Sequence, residues 1–236
     1  MINTLSKLSK IDADANKKNS LRFNSSLPIT IKVLKTLSLD RYKLLLGTRE
    51  FTTKSQKELE VGAQYWGSFG EGKDGIITIS NLVKKPNFLQ RSNGFLDIEI
   101  SEFLKQIMEV ASPISTFKEW VVESLEKDET KKDDFMLFSD MLLALKDDII
   151  HLPLKHNKKP NLLQIKLGAD YMEFYIAYEN LGPMIGYISK GVFNLNVLFD
   201  KTYYFLQKTD IATNISINKP IEPLYISDKL ILDLKG

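Results

Sequence analysis

Apolar side chains recur at every second position in two separate stretches of this chain, and at every third or fourth position in the stretch between them. That change of period limits the fold more than any other feature, because period 2 is the spacing of a strand and period 3.6 that of a helix. From Leu27 to Lys85, Ile29, Ile31 and Val33 alternate with Thr30 and Lys32, and Tyr42, Leu44 and Leu46 alternate with Arg41 and Lys43. Runs at Arg49 to Thr53, Ala63 to Phe69 and Gly75 to Asn81 continue the pattern, separated by Gly, Asp and Ser. About five short strands in some sixty residues predict a small β-barrel-like module or a curled sheet.

After a turn-rich join at Asn87 to Gly94 the period lengthens. Phe103, Leu104, Ile107, Met108 and Ala111 sit at helical spacing. Thr116 with Glu119 reads as a capping box opening a second helix, with Phe117, Trp120, Val121 and Leu125 inward. Glu126 to Asp134 reads as a charged connector, and Phe135, Phe138, Leu142 and Leu145 mark a third helix. Strands return at Ile149, with Leu163, Ile165 and Leu167, then Met172, Phe174, Ile176 and Tyr178, then Tyr187 and Ile188, then Phe193, Leu195, Val197 and Phe199. Asp200 is placed to cap a short helix over Lys201 to Ile211, and Asn214–Asn218 and Leu224–Leu234 read as closing strands. The predicted class is α+β and β-rich. It comprises a flexible tail over 1–26, a β-rich barrel-like module over 27–90, a helical segment over 95–148 and a C-terminal α+β module over 149–236.

Composition excludes whole classes of chemistry. With 236 residues, 43% of them hydrophobic and 26% charged, the chain has enough apolar surface for a core. Lys and Arg number 32 against 30 Asp and Glu, so no general basic footprint for nucleic acid is demanded. There is no cysteine, which removes disulfides, thiolate metal sites and cysteine nucleophiles together. No run approaches the 18 apolar residues of a spanning helix, and Met1 to Lys10 carries no continuous apolar signal region. The expectation is a cytoplasmic protein without membrane insertion. The Ser- and Asn-rich tail over 1–26 is read as a frayed terminus. It also has the form of the uncleaved signals of type III secretion substrates.

The sharpest local match is Gly67-Ser68-Phe69-Gly70-Glu71-Gly72-Lys73, which satisfies part of a phosphate-binding loop. Asp74 stands where a magnesium-ligating hydroxyl is needed, Glu71 adds a second negative charge, and a strand follows where a helix N-terminus should meet the anion. The segment is therefore read as a hairpin turn. His151 and His156 flank Pro153 with no carboxylate at ligand spacing, and read as a solvent-exposed pair beside Lys155, Lys158 and Lys159. Asp133-Asp134 and Asp147-Asp148 flank a helix. The first pair suits its N-terminal dipole and the second faces water. Neither pair has an apolar pocket to tune a general acid, so no catalytic residue, cofactor or metal site is assigned, and the chain is read as no enzyme. Tyr65-Trp66, Tyr171, Tyr175 and Tyr203-Tyr204 would stack on single-stranded nucleic acid if exposed; aromatics at strand spacing are read as core.

The C-terminal module resembles the C-terminal domain of flagellar hook-length control proteins. A strand ends in Leu181-Gly182-Pro183, two strands follow over Met184 to Ser189 and Phe193 to Phe199, and a helix starts at Lys201. Ile150-His151-Leu152-Pro153-Leu154 and the strand Leu162 to Leu167 extend the likeness upstream. Ile31 to Gly67 is similar to the β-rich N-terminal module of some relatives. The chain departs from the family in having 8 scattered prolines and a helical middle instead of a long Pro/Gln/Ser-rich region. It would be a short, divergent relative.

What the resemblance implies is a non-enzymatic protein-protein interaction protein contacting the flagellar type III export-gate switch. Export of the chain through the flagellar type III apparatus is left open by the resemblance. The contact residues it points to are Leu181, Gly182, Pro183, Tyr187, Ser189, Phe193 and Asn194. A bend at Gly182-Pro183 would leave the Tyr187–Phe193 strand edge open to a partner. The alternative from another class is a nucleic-acid or nucleotide-binding module built on the N-terminal β-barrel.

Overall fold

The computed structural model describes residues 27–38, 40–71, 77–90, 94–98, 100–127, 131–156, 159–209, 211–217 and 220–226. The tail over 1–26, the tip of the glycine-rich loop at 72–76, part of the charged connector at 128–130, Lys158 and residues 227–236 lie outside the described residues, as does the side chain of His156.

Among the described residues, eleven strands make two sheets, and the helical stretch lies between them in sequence. The protein is a β-rich α+β fold. The first sheet holds β1 (Ile29–Ser38), β2 (Arg41–Leu46), β3 (Arg49–Lys54), β4 (Gln64–Glu71) and β5 (Ile77–Lys84) in the order β3-β2-β1-β4-β5, all antiparallel. The N-terminal module thus takes the curled-sheet form with β3 and β5 as its edges, and no β3–β5 pairing closes it. Register shifts at Val33/Lys35, Thr36/Ser38 and Trp66/Ser68 are bulges of the kind that bend a sheet. Ile31, Val33, Tyr42, Leu44, Leu46 and Tyr65 fill one face, with Leu59 and Ala63 from the loop above it. Tyr42 and Tyr65 accept hydrogen bonds from the Leu59 and Glu60 amides at 3.3 and 3.0 Å, which seats that loop on the sheet.

Three helices follow: α1 (Ile100–Met108), α2 (Pro113–Leu125) and α3 (Lys132–Ala144). Helix α2 starts three residues before the expected cap at Thr116. Ser112 is the cap position and Pro113 takes the first helical turn, where a missing N–H costs nothing. Helix α3 buries Leu137, Met141 and Ala144, so its apolar stripe is rotated from the expected one. Phe135 is exposed, and Phe138, Leu142 and Leu145 are half-buried. Asp133 and Asp134 do occupy its first turn.

The second sheet runs β11-β10-β9-β8-β7-β6, from β6 (Ile149–His156), β7 (Lys159–Leu167), β8 (Tyr171–Tyr178), β9 (Gly182–Ser189), β10 (Val192–Val197) and β11 (Asn214–Ile217). Helix α4 (Asp200–Leu206) returns the chain so that β11 pairs parallel to β10, whereas the other pairs are antiparallel. Helix α4 is shorter than Lys201–Ile211. Phe199, not Asp200, is its cap position, and the Thr209 hydroxyl donates to the Leu206 carbonyl beyond its last turn. Leu224 to Ile226 form no strand.

One face of this sheet packs against the helices, and part of the other packs against the first sheet. On one, Phe103, Leu104, Phe117, Val121, Leu137 and Met141 of the helices pack on Leu152, Leu163, Phe174 and Leu195. On the other, Trp66 of the first sheet, Leu89 and Ile221 pack on Leu162, Tyr175, Ala177, Leu198 and Phe199. Strand alternation explains the division of labour, since Tyr65 points into the first sheet's own core and Trp66 points out of it, onto the second sheet.

Candidate functional site

Of the seven residues singled out in the sequence, four are interior. Leu181 and Phe193 are buried, Pro183 is buried, and Gly182 adopts φ +73° with the Phe199 ring 2.6 Å from where a Cβ would stand. Only Gly fits that combination of left-handed backbone and close ring approach. Tyr187 is 42% exposed, while Ser189 and Asn194 are half-buried. The Ser189 hydroxyl donates to the Asp170 carbonyl at 3.1 Å, and the Asn194 carboxamide oxygen accepts from Asn214 at 2.8 Å.

The open edge expected at Tyr187–Phe193 is absent. Tyr187 is paired on both sides, with Glu173 of β8 and Asn194 of β10, and Asn194 is paired in turn with Asn214 of β11. Four residues of β11, recruited by α4, cap the edge that a meander ending at β10 would have left free. What stays accessible is a face. The rows Tyr171–Ser189–Val192 and Glu173–Tyr187–Asn194–Asn214 lie on the side of the sheet that carries Trp66 further along. There the rings of Tyr171 and Tyr187 stack at 5.3 Å and 23°, beside a Val192 that is 42% exposed. Tyr65, Trp66 and Tyr175 are buried, so these aromatics offer no stacking surface to nucleic acid.

Where the two sheets meet lies a set of buried and half-buried polar groups. Lys85, just past β5, is 2% exposed and reaches Glu179 of the β8–β9 turn at 2.6 Å, with its ammonium 5.2 Å from the Trp66 ring. Burial pushes the Lys85 amine below the ordinary lysine range, against the pull of Glu179. Burial pushes the Glu179 carboxyl up, but Lys85, Thr30 and Lys159 outweigh it and hold the group below the usual carboxylate range. Gln90 ties the segment down, donating to the Lys85 carbonyl at 2.6 Å and accepting from the Gln64 amide at 2.9 Å.

His151 is also buried, at 1% exposure, contrary to the exposed pair expected beside the lysines. Its residue faces the covered side of the sheet, between Phe88 and Tyr225, whose rings meet it edge-on at 4.6 and 5.3 Å. Its Nδ1 lies 3.0 Å from the Gln164 carboxamide nitrogen. A cavity of about 960 Å³ opens beside these groups, walled by Val83, Pro86, Leu162, Leu198, Ile221 and Tyr225. The volume is that of a small-molecule pocket, and the lining is mostly apolar with few polar groups. Gln164, Lys85 and Glu179 were not singled out in the sequence. The available signal was parity: Gln164 shares its face with Tyr175 and Ile185, which are too apolar for an open side.

Among the described residues no three His, Asp or Glu side chains converge as a metal site would require, and no helix is long and apolar enough to cross a membrane. Set against family models, curated proteins and solved structures, the chain matches none of them.

Proposed function

We propose that this is a non-enzymatic binding protein, related to flagellar hook-length control proteins, whose C-terminal sheet contacts the cytoplasmic part of a type III export-gate switch protein. The observation that carries the reading is the stacked Tyr171–Tyr187 pair, standing exposed on a sheet whose other aromatic residues are buried. Exposed tyrosines on rigid strands offer large contact area at small entropic cost and are enriched at protein interfaces. The order β8, Leu181-Gly182-Pro183, β9, β10, α4 also follows the strand–turn–strand–helix order on which the resemblance rests. Contact is by the face of β8–β10, since the backbone groups of Tyr187 and Asn194 are engaged in the sheet.

The test is capture of the switch protein's cytoplasmic domain by the full chain. Tyr187→Glu and Asn194→Lys alter the exposed rows without touching the core. Each should weaken capture at least about tenfold, as loss of a central interface side chain does, with the thermal transition unchanged. Normal capture by both variants, or none by the parent chain, overturns the reading.

A further inference from the structure

The segment of residues 220–226 crosses the covered face of the second sheet as a strap, without strand or helix structure. Gln164, fully buried in β7, holds it by the backbone. The Tyr225 amide donates to the Gln164 carboxamide oxygen at 3.2 Å, and the Gln164 nitrogen donates to the Tyr225 carbonyl at 2.7 Å. A peptide N–H only donates and a peptide C=O only accepts, so these two bonds determine which end of the carboxamide is oxygen. The remaining N–H of that nitrogen then points at His151 Nδ1, 3.0 Å away. Nδ1 is therefore an acceptor, and a neutral ring carries its proton on Nε2.

We propose that His151 and Gln164 form a pH-operated latch that holds the 220–226 strap over the inter-sheet cavity and lets it go when His151 is protonated. Protonation places a second N–H on Nδ1, facing the N–H that Gln164 already directs there. Turning the carboxamide over removes that clash and creates two others. Its oxygen would face the Tyr225 carbonyl, and its nitrogen would face the Tyr225 amide. No orientation of Gln164 satisfies an imidazolium and the Tyr225 peptide together, so one of the two contacts is lost. The sheet fixes His151 and Gln164 as cross-strand neighbours in β6 and β7, whereas the strap has no ladder to hold it. The strap is what moves. Its Ile221, Tyr225 and Ile226 wall the cavity of about 960 Å³, so release opens that space to solvent.

The charged groups around the ring leave histidine as the switch. From the end of β5, Lys84 and Lys85 line the same cavity and are matched by Glu60 and Glu179. The strap contributes Glu222, the turn holding Phe88 contributes no charge, and β7 presents the neutral Gln164 with Lys166 two residues further on the same face. An imidazole is the side chain whose ordinary pKa lies near neutrality.

The reading is independent of any partner of the Tyr171–Tyr187 face. Its test is hydrogen exchange at the Tyr225 amide, scaled to the intrinsic rate at each pH, with β8 amides as the internal control for global opening. In the full chain, protection at Tyr225 should fall about tenfold or more between about pH 7.5 and about pH 5, with β8 protection constant. His151→Asn keeps an acceptor near the Nδ1 position and cannot titrate; His151→Phe keeps the ring contacts and cannot titrate. Both should give flat profiles, and Gln164→Leu should leave Tyr225 unprotected at both pH values. Constant protection in the parent chain, or a fall that persists in the two His151 variants, overturns the latch.

Discussion

The Gln164 carboxamide holds both backbone groups of Tyr225, a residue 61 positions later in the chain, at 2.7 and 3.2 Å. A side chain thus stands in for a strand neighbour, and the last described segment is pinned to the sheet by a hydrogen-bond pair of the kind a ladder would supply. Replacing Gln164 by Leu strips the Tyr225 peptide and His151 Nδ1 of their partner in a buried place. We expect a loss of about 1–3 kcal/mol, read as a lower urea midpoint with unchanged slope.

Lys85 and Glu179 join the first sheet to the second through a buried ion pair at 2.6 Å. Lys85→Met leaves the half-buried Glu179 carboxylate without that partner and should cost about 1–3 kcal/mol. Adding Glu179→Gln to Lys85→Met should recover most of the loss, which a double-mutant cycle in urea measures.

The same pair sets an acid dependence. The Glu179 carboxyl is held below its ordinary range in the folded protein. Its contribution is therefore present above the unfolded carboxylate pKa, and is lost as pH falls through that range towards the lower folded value. Glu179→Gln should flatten the decline of stability with pH in this window. An unchanged slope means that other carboxylates carry it.

Gly182 combines φ +73° with a ring contact at 2.6 Å from a would-be Cβ, whereas Gly47 has φ +62° and open space around it. Gly47→Ala should cost about 1 kcal/mol for left-handed backbone alone. Gly182→Ala adds displacement of the Phe199 ring and should cost about 2–4 kcal/mol. Equal thermal shifts for the two variants contradict the packing argument.

Tyr175 lies fully buried between the sheets, and burial pushes its phenol far above the ordinary tyrosine range. Its folded pKa is raised, so its contribution is complete below the unfolded value of about 10 and declines as pH rises beyond it. In an alkaline absorbance titration, Tyr175 should ionise only as the chain unfolds. Tyr175→Phe should remove that step and move alkaline unfolding to higher pH.

Strand and helix periods are legible where an element has a buried side that selects its residues, as most of the longer ones do. Ile31, Val33, Tyr42, Leu44, Met172, Phe174, Phe193 and Leu195 are buried as their alternation predicts. Caps were read less well. The apolar spacing at Phe117 and Val121 marks helix α2 but does not locate its first turn, and Pro113 opens it in place of Thr116. The free edge at Tyr187 was misread because a four-residue strand such as Asn214–Ile217 has no pattern long enough to reveal its partner or direction.

The class of fold is written in the residue order, through the switch from period 2 to period 3.6 and back, and so is the bend at Gly182. Which polar residues are interior depends instead on how the two sheets pack together. Alternation assigns His151 and Gln164 to the side of a strand that does not face the helices, and a strand cannot state whether that second side meets water or another layer. Packing of Trp66, Leu89 and Ile221 onto the second sheet closes that side. The same closure sets Lys85 against Glu179 as an ion pair and Gln164 against the Tyr225 peptide as a clamp, because a group removed from water must find its partner within the protein.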